Sequence, residues 1–278
     1  MESTIGSILA FIIVVFSYKG LSDATFREHY IFDIDKILIK KEYYRIISAA
    51  FLHGSWFHLG FNVIALLAFS GTVEVVYGWW QYLILFFGSV LFAKALTLFF
   101  HRNHGDYRAL GASGGVSGIL MAFVMADPFG KIGFIMLPIS FTAWMFAVAY
   151  VVITIIAIKR SNDNIGHEAH LGGAIGGVLL AIVFMPSLLL VRTWLIALIL
   201  VPAILFLWMS IKNPAFFLIK DYWGFSNKKN RSPLRIRHKK EKISREEELN
   251  LLLAKIKQKG LENLTKRERR RLEDLSNE

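Results

Sequence analysis

This chain reads as an all-α membrane protein, a polytopic helical bundle, on three observations. Its 278 residues are 55% apolar and 19% charged, with a mean hydropathy of +0.48. Apolar runs recur along it, most of them as long as a bilayer crossing, which takes roughly 20 helical residues. Between them lie short polar links, and a soluble domain of ordinary composition would carry more charge and fewer such runs. Cysteine is absent, which excludes disulfides and thiolate metal sites.

The first apolar run, about residues 3–17, lacks a basic start and a small-residue cleavage site. It predicts a membrane helix rather than a removed signal peptide. A long first loop follows to about residue 55. With Phe26, Tyr30, Phe32, Tyr43 and Tyr44 it is too apolar for a disordered linker and is expected to pack on the membrane surface. Span two covers about 57–76 and span three about 80–100, joined by the tight Gly78-Trp79 link. Span four covers 112–126, span five 135–158 after a short link at 127–131, and span six 169–184. A further run at 193–211, just after Pro186 and Arg192, predicts a seventh membrane helix.

From Ser226 the chain becomes a basic linker, then two short soluble helices. Ser244 with Glu247 and Thr265 with Glu268 each have the spacing of a capping box, and Gly260 suits the stop between them. Leu249, Leu252, Leu253 and Ile256 give the first helix an apolar face. This tail predicts a cytosolic helical hairpin without chemistry. The net charge of +11 lies mainly after Ile211. A basic block just past an apolar run meets anionic lipid headgroups, so membrane lipids rather than nucleic acid are the expected partner.

Polar residues at membrane depth are costly and mark function. Three groups stand out: His58 with Asn62, Ser113, and His170. Each lies near the N-terminal end of its span, in spans two, four and six. Even-numbered spans run in the same direction, so all three groups can meet at one depth below one membrane face. Unrelated polar residues would scatter over both faces.

Their chemistry is complementary. Ser113 opens a helix within Gly111-Ala112-Ser113-Gly114-Gly115, where unpaired backbone N–H groups and the helix dipole favour a developing oxyanion. His170, in Ala169-His170-Leu171-Gly172-Gly173, is the candidate base that takes the serine proton and returns it to the leaving amine. Gly173 and Gly177 form a small-residue face that lets span six approach span four. His58 and Asn62 share one helical face and can both donate to an oxyanion. No ionised carboxylate is expected beside His170 at membrane depth, which predicts a Ser-His dyad rather than a triad. Taken singly, a G-x-S-G string is more often a packing motif, and a lone membrane histidine is as often structural. No metal or cofactor is expected: His167-Glu168-Ala169-His170 has the wrong spacing for a metalloprotease helix, and His101, His104 and Asp106 would bind a metal only adventitiously.

These residues resemble the rhomboid family of intramembrane serine proteases, over roughly residues 43–184. The family's G-x-S-G is matched by Gly111 to Gly114, its A-H-x-x-G by Ala169 to Gly173, and its H-x-x-x-N by His58 to Asn62. The resemblance implies Ser113 as nucleophile, His170 as base, and His58, Asn62 and the Ser113 amide as oxyanion donors. Tyr44-Arg45 resembles the W-R pair of the family's first loop, and His53 and Glu74 match its loop histidine and its second-helix glutamate. Arg45, Glu74, Gly111, Gly114, Gly173 and Gly177 are therefore supporting residues. Where some members carry an aromatic residue four positions after the nucleophile, stacking on the histidine, this chain has Ser117. Positioning of His170 must then rely on other packing. The implied architecture is a six-helix rhomboid core plus a seventh transmembrane helix and a small helical tail. Its parts are the first helix and start of the first loop at 1–42, the catalytic core at 43–185, the added helix at 186–225, and the linker and tail at 226–278.

The expected activity is a serine endopeptidase cutting single-span membrane proteins, as a multi-pass protein of a bacterial inner (plasma) membrane. Two other readings compete: a catalytically inactive rhomboid-like protein that binds and directs membrane clients, and a channel or transporter, whose usual internal repeats are absent from the sequence. The facing of the site is ambiguous. Lys19, Arg27, Lys36, Lys40, Lys41, Arg45, Arg102, Arg108, Lys159 and Arg160 fall on the Ser113 side against Lys131 and Arg192 opposite. That bias points to the cytoplasm, whereas bacterial rhomboids generally place this face outside.

Overall fold

A helix in lipid must satisfy its backbone polar groups internally, and the long apolar runs do form helices. The computed structural model describes residues 3–134, 137–160 and 166–212, with Leu252, Lys255, Ile256, Leu264, Thr265, Glu268 and Leu272 of the tail. In chain order the elements begin with α1 (Thr4–Ser22), α2 (Ala24–Tyr30), β1 (Phe32–Asp33), α3 (Ile34–Leu38) and α4 (Arg45–Ser48). Next come α5 (Trp56–Tyr77), α6 (Trp79–His101), β2 (Arg108–Ala109) and α7 (Ser113–Ala126). The series closes with β3 (Lys131–Phe134), β4 (Leu137–Thr142), α8 (Ala143–Arg160), α9 (His167–Phe184), α10 (Leu188–Val191) and α11 (Thr193–Lys212). Five helices, α1, α5, α6, α9 and α11, are long and apolar enough to cross a bilayer, and α7 and α8 are shorter apolar helices. The chain is an all-α, polytopic membrane protein.

Helix α7 lies at the centre. Every residue from Gly114 to Met125 is buried, so protein surrounds it rather than lipid. At 1.5 Å per residue it is about 21 Å long, short of the roughly 30 Å of a hydrocarbon core, a deficit that matters little inside a bundle. It packs between α9, α6 and α5, with α1 laid against α5.

The antiparallel pairing of α1 with α5 is fixed at one end by Glu74. The Ser3 hydroxyl donates to Glu74 Oε2 at 2.5 Å and the Ile5 N–H donates to the same oxygen at 3.0 Å. Ser3 Oγ also accepts the Gly6 N–H at 2.9 Å, capping α1. A carboxylate here answers the positive end of the α1 dipole. Glu74 is therefore a helix-pairing residue at the end remote from Ser113.

The first loop is a folded unit rather than a simple surface segment. Phe32, Ile34, Ile37 and Ala49 form a small core of their own, and β1 pairs antiparallel with β2 from the loop before Ser113. Its aromatic residues divide accordingly: Phe32 is fully buried, while Tyr43 and Tyr44 are exposed. Arg45 holds the unit together. Its guanidinium donates to the Glu28 and Ile31 carbonyls at 3.0 and 2.9 Å and to Glu42 at 2.6 Å. These contacts satisfy carbonyls left open where α2 ends.

One span departs from expectation. Residues 131–134 and 137–142 form a β-hairpin, β3 with β4, and α8, the helix expected as span five, begins at Ala143 instead of about residue 135. The physical cause is Pro138, which disfavours helix at the residue before it and removes a backbone donor. A short apolar run does not distinguish strand from helix by periodicity. The turn entering the hairpin is closed by Asp127, which accepts the Gly130 N–H at 3.0 Å.

The Met1–Lys220 unit contains these helices, and Asp221–Glu278 is a second compact unit. In the second, Thr265 and Glu268 do form the reciprocal cap: the Glu268 N–H donates to Thr265 Oγ1 at 3.3 Å and the Thr265 N–H to Glu268 Oε2 at 2.9 Å. Ser244, Glu247, Leu249, Leu253 and Gly260 lie outside the described residues.

Helix α11 runs the full depth of the bundle. At its start, Trp194 stacks on Phe129 beside the α7–α8 connection, with centroids 6.3 Å apart. At its end, Ser210 and Ile211 line the same cavity as Ser113. The chain therefore leaves α11 on the Ser113 side. Because the protein has no cysteine, single cysteines report sidedness cleanly. An impermeant maleimide should modify Asn103→Cys and Lys212→Cys from one membrane face and Phe129→Cys from the other. Modification of Lys212→Cys and Phe129→Cys from the same face would contradict this path.

Candidate active site

The approach to Ser113 is held by backbone contacts before the helix begins. Gly111 has φ +125°, a conformation that favours glycine, and its N–H donates to the Ala49 carbonyl at 3.0 Å. The Ala112 N–H donates to His53 Nε2 at 3.4 Å. That contact fixes the tautomer, since Nε2 accepts and Nδ1–H donates to Ser17 Oγ at 2.8 Å. The Ser17 hydroxyl in turn donates to the Phe51 carbonyl at 2.8 Å. His53 thus ties the end of α1 to the residue preceding Ser113. It is completely buried, lies outside the spanning helices, and burial pulls its imidazole down to about 3, keeping it neutral.

Ser113 is the first residue of α7, and Ala112 provides no side-chain cap. The first-turn amides therefore remain open toward the cavity. A Cβ placed on Gly111 would lie 2.9 Å from the His58 ring and 3.8 Å from Ser113 Oγ. Imidazole and hydroxyl thus flank one glycine, and any side chain there would separate them. Asn62 sits one turn after His58, and its Nδ2 donates to the His58 carbonyl at 2.9 Å. An amide nitrogen carries two protons, so one remains for a ligand.

His170 is brought in by glycine contact between α7 and α9. A Cβ on Gly173 would meet the Gly114 carbonyl oxygen at 2.0 Å, and one on Gly177 would meet the Gly118 oxygen at 2.4 Å. The two backbones touch where neither helix has a side chain. Ser113, His170, His58 and Asn62 all line one cavity of about 1830 Å³, together with Gly111 and Gly114. The Ser113 hydroxyl and the His170 ring are not hydrogen-bonded to one another among the described residues. Such pairs are often long in unliganded enzymes and tighten around a substrate. Arg45 and Glu74 do not line the cavity and act on the scaffold.

Further polar residues line the cavity: Glu168 and His101, considered above only as metal ligands, and Tyr107 and Lys94, which no motif marked. Glu168 is buried beside His170, accepts the Tyr107 hydroxyl at 2.8 Å and lies 3.4 Å from His101 Nε2. His101 stacks flat on Tyr107 with centroids 3.6 Å apart. The imidazole of His101 is thus engaged by a carboxylate and a phenol ring. Among the described residues Glu168 makes no hydrogen bond to His170, so its carboxylate is not arranged as the third member of a triad. Lys94 of α6, buried with its Nζ 4.9 Å from the Phe32 ring centre, lines the same cavity. An ionisable residue within an apolar run was a signal available in the sequence.

The His53 contacts predict a pH dependence. In the unfolded chain its imidazole takes a proton near 6.5, while the folded site keeps it neutral down to about 3. Between those values the unfolded state binds more protons, so stability falls as pH falls. The melting temperature in detergent should drop from about pH 7 to about pH 5, and His53→Gln should make that drop shallower. Equal slopes for both proteins would remove His53 as a contributor.

The chain's similarities to known proteins fall on the same segment. A rhomboid domain model matches residues 40–187, and a model of a family of unknown function, DUF6576, matches residues 236–278. Rhomboid protein 1, mitochondrial, of Saccharomyces cerevisiae is 29% identical over 150 residues, covering 51% of this chain and 43% of the yeast protein. Presenilin-associated rhomboid-like protein A, mitochondrial, of Danio rerio is 31% identical over 135 residues, 48% of this chain and 35% of the fish protein. Rhomboid-type serine protease 2 of Emericella nidulans is 29% identical over 89 residues, 30% of this chain and 16% of the fungal protein. The chain thus spans less than half the length of each of these relatives. With the domain matched over more than half of its residues, and with the helices around Ser113 and His170 built as described, the chain belongs to the rhomboid family.

Proposed function

We propose that this protein is an intramembrane serine endopeptidase with Ser113 as nucleophile and His170 as general base and acid. The observation that carries the proposal is the single cavity shared by Ser113, His170, His58 and Asn62 at the N-terminal ends of three helices that run in one direction. In the proposed reaction Ser113 Oγ attacks the carbonyl carbon of a substrate peptide bond, and its proton passes to His170. The resulting oxyanion accepts hydrogen bonds from the Ser113 N–H, the His58 ring and the free proton of Asn62 Nδ2. Collapse breaks the C–N bond, and His170 returns the proton to the leaving amine. Water then attacks the acyl carbon as His170 takes its proton; the C–Oγ bond breaks, the carboxylic acid leaves, and His170 returns the proton to Ser113 Oγ.

The substrates are single-span membrane proteins. A helical peptide bond shields its carbonyl, so residues that loosen a helix near the cut should favour cleavage. Family membership supports an integral, multi-pass location. The sequence pattern suggested a bacterial inner membrane, but two of the three relatives above are mitochondrial by name, and that points away from the bacterial assignment. The competing reading, an inactive member that binds membrane clients, is separated by reactivity at Ser113.

In proteoliposomes, wild-type protein should cleave a model single-span substrate and react with a fluorophosphonate probe. Ser113→Ala and His170→Ala should each lower cleavage by about 10³-fold or more, with little further loss in the double variant, because the two act as a unit. Cleavage by Ser113→Ala at the wild-type rate would reject the proposal.

A further inference from the structure

We infer that Tyr150 of α8 is a positioning residue for His170, held in place through Ser117. The inference rests on the protease reading for its functional consequence, and on geometry for the contact itself. The Tyr150 ring lies nearly parallel to the His170 imidazole, with an interplanar angle of 22° and centroids 6.4 Å apart. That is an offset stack within the range in which aromatic rings attract. The Tyr150 hydroxyl reaches Ser117 Oγ at 2.5 Å, and the Ser117 hydroxyl donates to the Ser113 carbonyl at 2.7 Å.

Proton counting orients this chain of bonds. Ser117 has one hydroxyl proton and gives it to the Ser113 carbonyl, so Tyr150 must be the donor to Ser117. The result is a directed path from Tyr150 O–H to Ser117 O–H to the carbonyl of Ser113. It joins α8 to α7 at the level of the proposed nucleophile, while the Tyr150 ring faces the imidazole on α9. One side chain thereby registers α8 against the two helices that carry Ser113 and His170. Ser117 is almost fully buried, and Tyr150 and His170 line the cavity together. A tyrosine tethered at its tip has little freedom to swing away, so the imidazole against it loses rotational freedom as well. The path also requires a small hydroxyl residue at 117: anything larger would occupy the space of the Tyr150 tip.

Two variants divide ring from tether. Tyr150→Phe keeps the ring and loses the hydroxyl; Tyr150→Ala loses both. Ring-current shifts of the His170 ring protons, observed in histidine-labelled protein and assigned with His170→Ala, report the stack without requiring activity. We expect these signals to move strongly in Tyr150→Ala and slightly in Tyr150→Phe. For cleavage, Tyr150→Ala should lower kcat by about 10- to 100-fold with KM changed little, the size of effect that follows a displaced catalytic group. Tyr150→Phe should recover most of that loss. Ser117→Tyr in the Tyr150→Ala background, which returns a ring from the α7 side into the vacated space, should raise kcat above that of Tyr150→Ala alone. Unchanged His170 signals in Tyr150→Ala would overturn the inference, as would equal kcat for wild type and Tyr150→Ala. Wild-type protein that shows the ring-current shift yet cleaves nothing would leave the contact standing and remove the protease reading instead.

Discussion

Where α7 crosses α9, neither helix presents a side chain, and the backbones meet at Gly114 against Gly173 and at Gly118 against Gly177. In lipid, helices gain little from hiding apolar surface from each other, so close packing of this kind is what holds them together. One added methyl group at Gly173 would sit inside the opposing carbonyl, and overpacking of that sort costs about 1–3 kcal/mol or forces the helices apart. The separation of Ser113 from His170 is set by this crossing. So is the opening of the cavity above it, because α6 and α5 pack against the same central helix.

The remaining polar contacts work at the rim of that crossing. His53 fixes the backbone just before Ser113 and links it to α1, Arg45 closes the first-loop unit that carries His53's neighbours, and Tyr150 ties α8 to both α7 and α9. Glu74 secures the opposite end of the α1–α5 pair. The segment that opens α7 is held by the Gly111 bond to Ala49, the Ala112 bond to His53 and the Ser117 bond to the Ser113 carbonyl, while its first turn has no side-chain cap. The proposed reaction would draw on that arrangement, since donors held in place before charge develops need no reorganisation.

Much of this could be read from residue order alone. Apolar length located the spanning helices, and parity alone put His58, Ser113 and His170 at one end, because alternate helices must run in alternate directions. Glycine spacing in Gly173-x-x-x-Gly177 anticipated a close approach, although the matching face on α7 needed coordinates. What the sequence hid was of two kinds. Residues 135–142 look like the start of a spanning helix by hydropathy, and only Pro138 argued otherwise. Long-range polar partners such as Tyr107 with Glu168, or Tyr150 with Ser117 and His170, leave no local pattern, since their members lie tens of residues apart in different segments. The absence of an aromatic residue at Ser117 read as a gap; the structure fills that space with a tyrosine from α8.

An experimental structure of the protein after reaction with a fluorophosphonate tests the central claim most directly. The account requires phosphorus bonded to Ser113 Oγ, the phosphoryl oxygen within hydrogen-bond reach of the Ser113 N–H and of His58 or Asn62, and the His170 ring beside the adduct with α7 and α9 still in backbone contact. Label on another residue, or a His170 ring remote from the adduct with the two helices parted at Gly114 and Gly173, would contradict it.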